Sequence, residues 1–373
     1  MLHLLVFLFT FLTLYYAFRI ILFYYGLTRL TPGRNTNLYS VTILIPARNE
    51  EENIARCLDS LVTQSYPKDK LEIIVIDDDS WDRTANIVRR YCDQYPFVQL
   101  ITLGKCPKKV SPKKRALKVG IESAQGEIIF TTDADCTVSP NWVRQMISSF
   151  EPDVGVVVGW VMLSPEFEVT LFHKMQSLEF IGLTTAGMGS IGADDPIIAN
   201  GANLALRRRT FEDVHGYEGN EHILSGDDDL LLQKVDRSSD WKIKSATLSD
   251  TFVFTRPAPD VNYFINQRIR WASKSLIYKK KSLVFFLIAV YFFYLLLLIA
   301  LPFSIRYFTI FPYPIIALLI KMAVDFLLIL KGTALVSRRD LRKFFLITEL
   351  FQIPYIIYVG FASIVEKFDW KGR

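Results

Sequence analysis

Two stretches decide the fold: residues 41–50, VTILIPARNE, and residues 71–82, LEIIVIDDDSWD. Each opens on a continuous apolar run of strand length, 41–45 and 71–76, and each then enters a polar, acidic segment. Pro46 ends the first run, after which Ile54, Leu58, Leu61 and Val62 recur at helical spacing; past the second run, residues 84–91 again read as a helix. Strand, loop and helix repeated twice predict a parallel α/β sheet. In such sheets ligands sit beyond the carboxyl ends of the strands, so the two acidic loops are expected on one rim.

Outward from this pair, another apolar strand, 127–131, leads into Asp133, Ala134 and Asp135. On extended backbone, residues i and i+2 point the same way, which lets both carboxylates converge on one hard cation, Mg2+ or Mn2+, that also takes phosphate oxygens. Asp-x-Asp is common by chance, and its place at a strand end is what gives it weight. Ahead of that strand lies a basic segment, Lys105, Lys108, Lys109, Lys113, Lys114, Arg115 and Lys118, whose charges are mostly expected in solvent. Gly201, Ala202 and Asn203 read as a turn before a further apolar segment.

Ser225, Gly226, Asp227, Asp228 and Asp229 precede a helical run. One of these aspartates can cap the helix. Three adjacent carboxylates also repel one another, which raises the proton affinity of one and suits a general base. In residues 267–271, QRIRW, the residues Gln267, Arg270 and Trp271 share one helical face. An amide, a guanidinium and an indole together suit a diphosphate and a sugar ring. An amphipathic helix at a membrane surface, with Trp271 at the headgroups and Lys274 and Lys279 to Lys281 toward anionic lipid, accounts for the same residues.

The 51% hydrophobic content is concentrated at the two ends of the 373-residue chain. Residues 2–18, extended past Arg19 by 20–25, and residues 283–303, 308–330 and 344–365 are each long enough to cross a bilayer core. Arg29, Arg34, Lys279 to Lys281, Arg338, Arg339, Arg342 and Lys343 flank these spans on one side, which places the central domain in the cytoplasm by the positive-inside rule; Lys367, Lys371 and Arg373 run against the pattern. Lys321 and Asp325, one turn apart in the third span, are expected to neutralise each other, while Glu349 has no evident partner. The resulting division is an anchor over 1–30, a globular domain over 38–255, an interfacial region over 256–282 and three membrane helices over 283–365. A net charge of +5 drawn largely from clusters makes nucleic acid an unexpected partner. The spacing of Cys57, Cys92, Cys106 and Cys136 matches neither zinc ligands nor a disulfide framework and suits a reducing compartment.

Asp-Asp-x-Ser-x-Asp after the second strand, Asp-x-Asp, a Gly-Asp-Asp segment and Gln-x-x-Arg-Trp, in this order, resemble the family-two membrane glycosyltransferases. That group includes cellulose, hyaluronan and poly-N-acetylglucosamine synthases and ceramide glucosyltransferases, and the resemblance covers residues 38–275. It implies a GT-A fold, α/β with a mixed, mostly parallel sheet, beside about four transmembrane helices. It further implies an inverting transfer of sugar from a nucleotide diphosphate, a UDP-sugar first, to a lipid-linked or glycan acceptor in a bacterial cell membrane. By the same resemblance Pro46, Ala47, Arg48, Glu50, Asp78, Lys113 and Asp133 bind the donor, Asp133 and Asp135 the metal, and Asp228 is the base, with Asp227 chosen instead if the motif shifts by one. Gly201, Ala202, Asn203, Gln267, Arg270 and Trp271 would line the acceptor and diphosphate side; the family's usual downstream Gly-Gly is His215 and Gly216 here. With three spans after the domain, single transfer is favoured over a processive polysaccharide synthase. A non-catalytic nucleotide-sugar-binding subunit ranks below both, because no key carboxylate is missing.

Overall fold

In a computed structural model that describes residues 2–107, 110–306 and 312–365, the chain folds into two compact units. Residues 30–164 and 194–256 form one; the segments up to residue 29, 165–193 and from 257 onward form the other. Lys108, Lys109, Lys367, Lys371, Arg373 and the first residues of the 308–330 span lie outside the described residues.

The strands are β1 Val41–Ala47, β2 Leu71–Asp78, β3 Val98–Leu103, β4 Ile128–Thr131, β5 Thr137–Val138, β6 Val154–Val158, β7 Val161–Leu163, β8 Leu204–Arg207, β9 Lys242–Ser245 and β10 Val253–Thr255. The helices are α1 Leu2–Arg29, α2 Ile54–Val62, α3 Thr84–Gln94, α4 Pro112–Ser123, α5 Trp142–Ile147, α6 Leu171–Gly192, α7 Arg208–Asp213, α8 Asp229–Ser238, α9 Val261–Ala272, α10 Lys281–Arg306, α11 Pro312–Leu335 and α12 Phe345–Val365.

In the first unit the main sheet runs β3-β2-β1-β4-β8-β6-β9, and β5-β10-β7 form a second, small one. Strands β3, β2, β1 and β4 are mutually parallel, β8 is antiparallel to β4 and β6, and β9 is parallel to β6. The sheet is therefore mixed and mostly parallel, as expected. The core strands β1, β2, β4 and β6 are buried almost throughout, which is why they read as unbroken apolar runs. The edge strand β9 carries Lys242 and Lys244, charges that discourage pairing with another chain.

Register decides where the chemistry gathers. Because β4 pairs antiparallel with β8, with Thr131 opposite Leu204, residues that follow β4 and residues that precede β8 share one edge. The carboxyl ends of β1 and β2 lie at that same edge by their parallel pairing.

Three local readings change. Pro46 does not end β1: the strand continues to Ala47 against β2, while β4 pairs only as far as Leu44, so the missing proline N–H leaves no gap on that side. Asp77 and Asp78 belong to β2 and are buried, not part of the loop. Asp133 to Cys136 is not extended: Thr132 N donates the last sheet bond, to Leu44 O, and Cys136 N then donates to Asp133 O at 3.1 Å, closing a turn.

In the second unit, Val6–Arg29, Lys281–Phe303, Pro312–Leu335 and Arg339–Val365 are long and apolar enough to cross a membrane. Helix α6, from within the stretch expected to be globular, belongs to this unit. It meets α1 at glycines: a side chain on Gly26 would run into the backbone of Gly189 and Ala193, and one on Gly189 into the backbone of Phe23. Small residues let two helices approach this closely. Glu349 does have a partner: Lys321 pairs with both Asp325 (2.8 Å) and Glu349 and donates to Gln352, while Tyr16 donates to Asp325 at 2.7 Å.

Candidate active site

The loops after β1 and β2 are laced into one rim. Asn49 N donates to Ser80 Oγ (2.9 Å), Glu50 N to Thr84 Oγ1 (2.7 Å) and Glu51 N to Asp82 Oδ2 (3.1 Å). Asn49 and Asp79 adopt positive φ, 52° and 60°, a conformation that Asn and Asp tolerate better than most residues. Arg48 is buried and donates to Asp78 O (2.5 Å) and Asp79 O (2.9 Å), while its guanidinium lies 4.9 Å from the ring of Trp81. Trp81 itself is 71% exposed, a flat apolar surface that the sequence reading passed over. Partial burial pushes the Asp82 carboxyl up, but hydrogen bonds from Thr84 and Glu51 outweigh it and hold the group below its ordinary value.

Past β4, Asp133 and Asp135 share the turn described above. Thr255 on β10 donates to Asp135 Oδ2 at 2.9 Å, a support that no motif marks. Burial pushes the Asp135 carboxyl up, and the charges of Asp133 and Glu50 push it further. Below the turn, burial and the charge of Asp135 keep the thiols of Cys57 and Cys136 protonated. A divalent cation would offset the crowding of negative charge at Asp135, and carboxylate oxygens are the donors that Mg2+ and Mn2+ accept, so these residues fit such an ion. Among the described residues no group of three or more His, Cys, Asp or Glu forms a complete metal cage. Two carboxylates would leave coordination positions for phosphate and water.

Lys113 ties this turn to the aspartate run. Its ammonium lies 2.7 Å from Asp133 Oδ1 and 3.3 Å from Asp227 Oδ2. Burial alone would pull its pKa down; the charges of Asp133, Asp227 and Asp228 outweigh that and push it up, so the lysine stays charged. The three aspartates do not face one another as a repelling trio. Asp227 is buried at Lys113, Asp229 accepts from Ala199 N (2.9 Å), and Asp228 accepts from Gly201 N (2.9 Å) and Asp229 N (2.7 Å) at the start of α8. Asp228 is the one of the three that is not fully buried. Gly226 precedes them at φ 78°, which glycine adopts without a Cβ clash.

Gly201, Ala202 and Asn203 form a single 3-10 turn before β8. Gly201 faces the charged cluster: a Cβ there would lie 2.9 Å from Asp227 Oδ2 and 3.4 Å from Lys113 Nζ. Asn203 does not. It is fully buried, with Nδ2 donating to Trp160 O and Thr251 O and Oδ1 accepting from Trp142 Nε1, so its amide braces the interior instead of lining an acceptor side. His215 and Gly216 both have positive φ, 54° and 45°, the backbone that a Gly-Gly pair would take up readily.

Gln267, Arg270 and Trp271 lie on α9, in the helical unit. The intervening Arg268, which the motif does not specify, contacts two of them. It donates to Gln267 Oε1 (2.9 Å), places its guanidinium 4.2 Å from the Trp271 ring centroid, and forms a buried ion pair with Glu179 of α6. Tyr355 of α12 donates to the same carboxylate at 2.6 Å.

A family model described as glycosyl transferase family 2 matches residues 42–214, a span that stops short of the Asp227–Asp229 run and of α9. Over 200 residues, 52% of this chain, it is 32% identical to "Probable glycosyltransferase YdaM" of Bacillus subtilis (strain 168), covering 46% of that protein. Over 215 residues, 54% of this chain, it is 27% identical to the beta-monoglucosyldiacylglycerol synthase of Synechocystis sp., covering 41% of that protein. The chain spans about half the length of the curated relatives it matches. Among solved structures, mannosyltransferase PcManGT from Pyrobaculum calidifontis, solved with GDP-Man and Mn2+, superposes with a TM-score of 0.60 at 21% identity, over 97% of this chain and 99% of that one. The matched segment supplies the strands and turns that carry the Arg48, Asp78, Lys113 and Asp133 positions: residues 42–214 match the glycosyl transferase family 2 model, and the chain has the GT-A fold of that mannosyltransferase.

Proposed function

We propose that this chain is a membrane-bound inverting glycosyltransferase that moves one sugar from a nucleotide diphosphate to a hydroxyl of a lipid-linked or glycan acceptor. The observation that carries the reading is Lys113, whose ammonium joins Asp133 of the candidate metal turn to Asp227 beside the candidate base. Chemistry at both ends of a bond to be broken needs such convergence.

Asp228 is the base, because it is the least buried of its three neighbours and its carboxylate is oriented by two backbone N–H groups. It takes the proton of the acceptor hydroxyl as that oxygen bonds to the anomeric carbon; the bond from that carbon to the phosphate oxygen breaks on the opposite face, and its electron pair leaves with the diphosphate. Asp133 and Asp135 would hold Mg2+ or Mn2+, which would supply charge compensation for the departing diphosphate. Lys113 adds a fixed positive charge at the same place. The nucleoside end lies at Pro46, Ala47, Arg48, Glu50 and Asp78, with Trp81 beside Arg48 as a stacking surface. On the resemblance, Gly201 and Ala202 are assigned to the acceptor, and Gln267, Arg270 and Trp271 to diphosphate and sugar.

A lipid acceptor is supported by the glycolipid synthase among the relatives and by the four apolar helices. UDP-sugars are the first donors to test, with GDP-mannose, the ligand of the Pyrobaculum calidifontis mannosyltransferase, as the second. The globular unit is assigned to the cytoplasmic face of a bacterial cell membrane. Purified full-length protein should release nucleotide diphosphate from one of these donors only with Mg2+ or Mn2+, and EDTA should stop it. Asp135→Asn and Asp228→Asn should each lower turnover by roughly a thousandfold or more, as loss of a group acting in the transition state does. Unchanged turnover in either variant removes the role assigned to that residue.

A further inference from the structure

Lys114 is one of the largest fully buried side chains of the protein, 2% exposed, yet neither the metal turn nor the aspartate run accounts for it. It follows Lys113 in the first turn of α4, rotated about 100° around the helix, so the two ammonium groups reach different targets. Lys114 Nζ donates to three backbone carbonyls, Asn220 O at 2.9 Å, Ile223 O at 3.0 Å and Ser225 O at 3.1 Å. The residue that caps the same helix grips the same segment: Ser111 N donates to Glu221 O at 2.7 Å and Ser111 Oγ to Leu224 O at 3.4 Å. Residues 220–225 have no strand or helix of their own, and they lead through Gly226 directly into Asp227 and Asp228.

We infer that Lys114 is a positioning residue, which clamps the 220–225 segment and so fixes where Asp228 meets Gly201 N and where Asp227 meets Lys113. The physical reason lies in the donor set. An ammonium offers three N–H groups in a compact tripod, and three carbonyls that turn toward one point need such a group in place of water. Aspartates carried on a chain with no ladder of its own would otherwise sample many positions, and a base displaced by one ångström loses most of its effect. A planar guanidinium does not reproduce a three-point convergence. With Lys113 on the next position, a single helical turn aligns the candidate base from two sides.

The kinetic part of this inference rests on the glycosyltransferase reading; the structural part does not, and the test separates them. Hydrogen exchange of the full-length protein, followed by mass spectrometry, is compared between the natural chain and Lys114→Met. Exchange across residues 219–229 should rise by about tenfold or more, while that of β1 and β2 stays unchanged. With the donor identified for the natural protein, turnover should fall by about tenfold or more while the donor KM changes less than about twofold, a split that general destabilisation does not produce. Lys114→Arg keeps the charge and should show the same pattern more weakly; it also serves if the Met variant fails to fold. Unchanged exchange in 219–229 overturns the clamp. A loosened segment with full turnover overturns the positioning role. If the natural protein transfers no sugar at all, the functional reading fails and the exchange result still decides the clamp.

Discussion

At the scale of single residues, the candidate centre is a set of charges held apart by specific partners. Asp227, Asp228 and Asp229 are adjacent in sequence, yet one meets an ammonium, one meets the Gly201 amide and one meets the Ala199 amide. Repulsion within the run is therefore offset group by group, and Asp228 is the only one of the three that is partly exposed. Gly201 makes the arrangement testable, because a methyl group there would push against the carboxylate of Asp227, not against backbone. Gly201→Ala should lower turnover by about tenfold, about 1.4 kcal/mol of transition-state stabilisation, with little change in melting temperature. Parallel measurement of turnover and thermal unfolding checks this, and an unaltered rate would remove Gly201 from the centre.

At the scale of elements, a helix start and a helix-to-helix ion pair do the organising. The first turn of α4 carries both lysines and a Ser111 cap, with Pro112 at a position where the missing N–H costs nothing. In the helical unit, Arg268 of α9 pairs with Glu179 of α6, and both are almost wholly buried. Removing one member of such a pair strands the other, so Arg268→Met should lower stability by about 3–5 kcal/mol, with the double variant Arg268→Met, Glu179→Leu recovering part of the loss. Melting of the purified variants reads this directly. Turnover of the double variant, compared with its melting, would show whether the QRIRW face depends on Arg268 beyond its contribution to stability.

At the scale of the molecule, the four apolar helices carry a buried polar cluster, Tyr16, Lys321, Asp325, Glu349 and Gln352, drawn from α1, α11 and α12. Each group has a partner, so none is stranded among the apolar helices, and the cluster is expected to favour the one packing that keeps these pairs together. Lys321→Met leaves two buried carboxylates without their cation and should destabilise the protein by about 3–5 kcal/mol, whereas Lys321→Met with Asp325→Leu and Glu349→Leu should restore much of the stability and the activity. A stable but inactive triple variant would give the cluster a functional role instead. Orientation is tested with Arg339→Cys in a Cys92→Ser, Cys106→Ser background: an impermeant maleimide should label it in inside-out vesicles and not in sealed right-side-out ones, as the positive-inside rule requires.

The parallel strands, the four membrane-length helices and the acidic positions were all legible in the sequence, because burial on both faces, span length and strand-end placement leave their mark within a few residues. The resemblance marks Lys113, whereas Lys114 beside it reads as one more solvated charge in a basic segment. No local pattern tells a lysine that meets three carbonyls about a hundred residues away from one that meets water. The burial of Asn203, the support of Thr255 and the Arg268–Glu179 pair were equally hidden, each depending on a partner far along the chain, and the turn at Asp133 replaces the extended backbone that the apolar run before it suggests. Composition and periodicity fix which elements form; only the register of β4 against β8 and the packing of helices decide which charges meet, since hydrogen bonds and ion pairs act over a few ångströms of space regardless of distance in sequence.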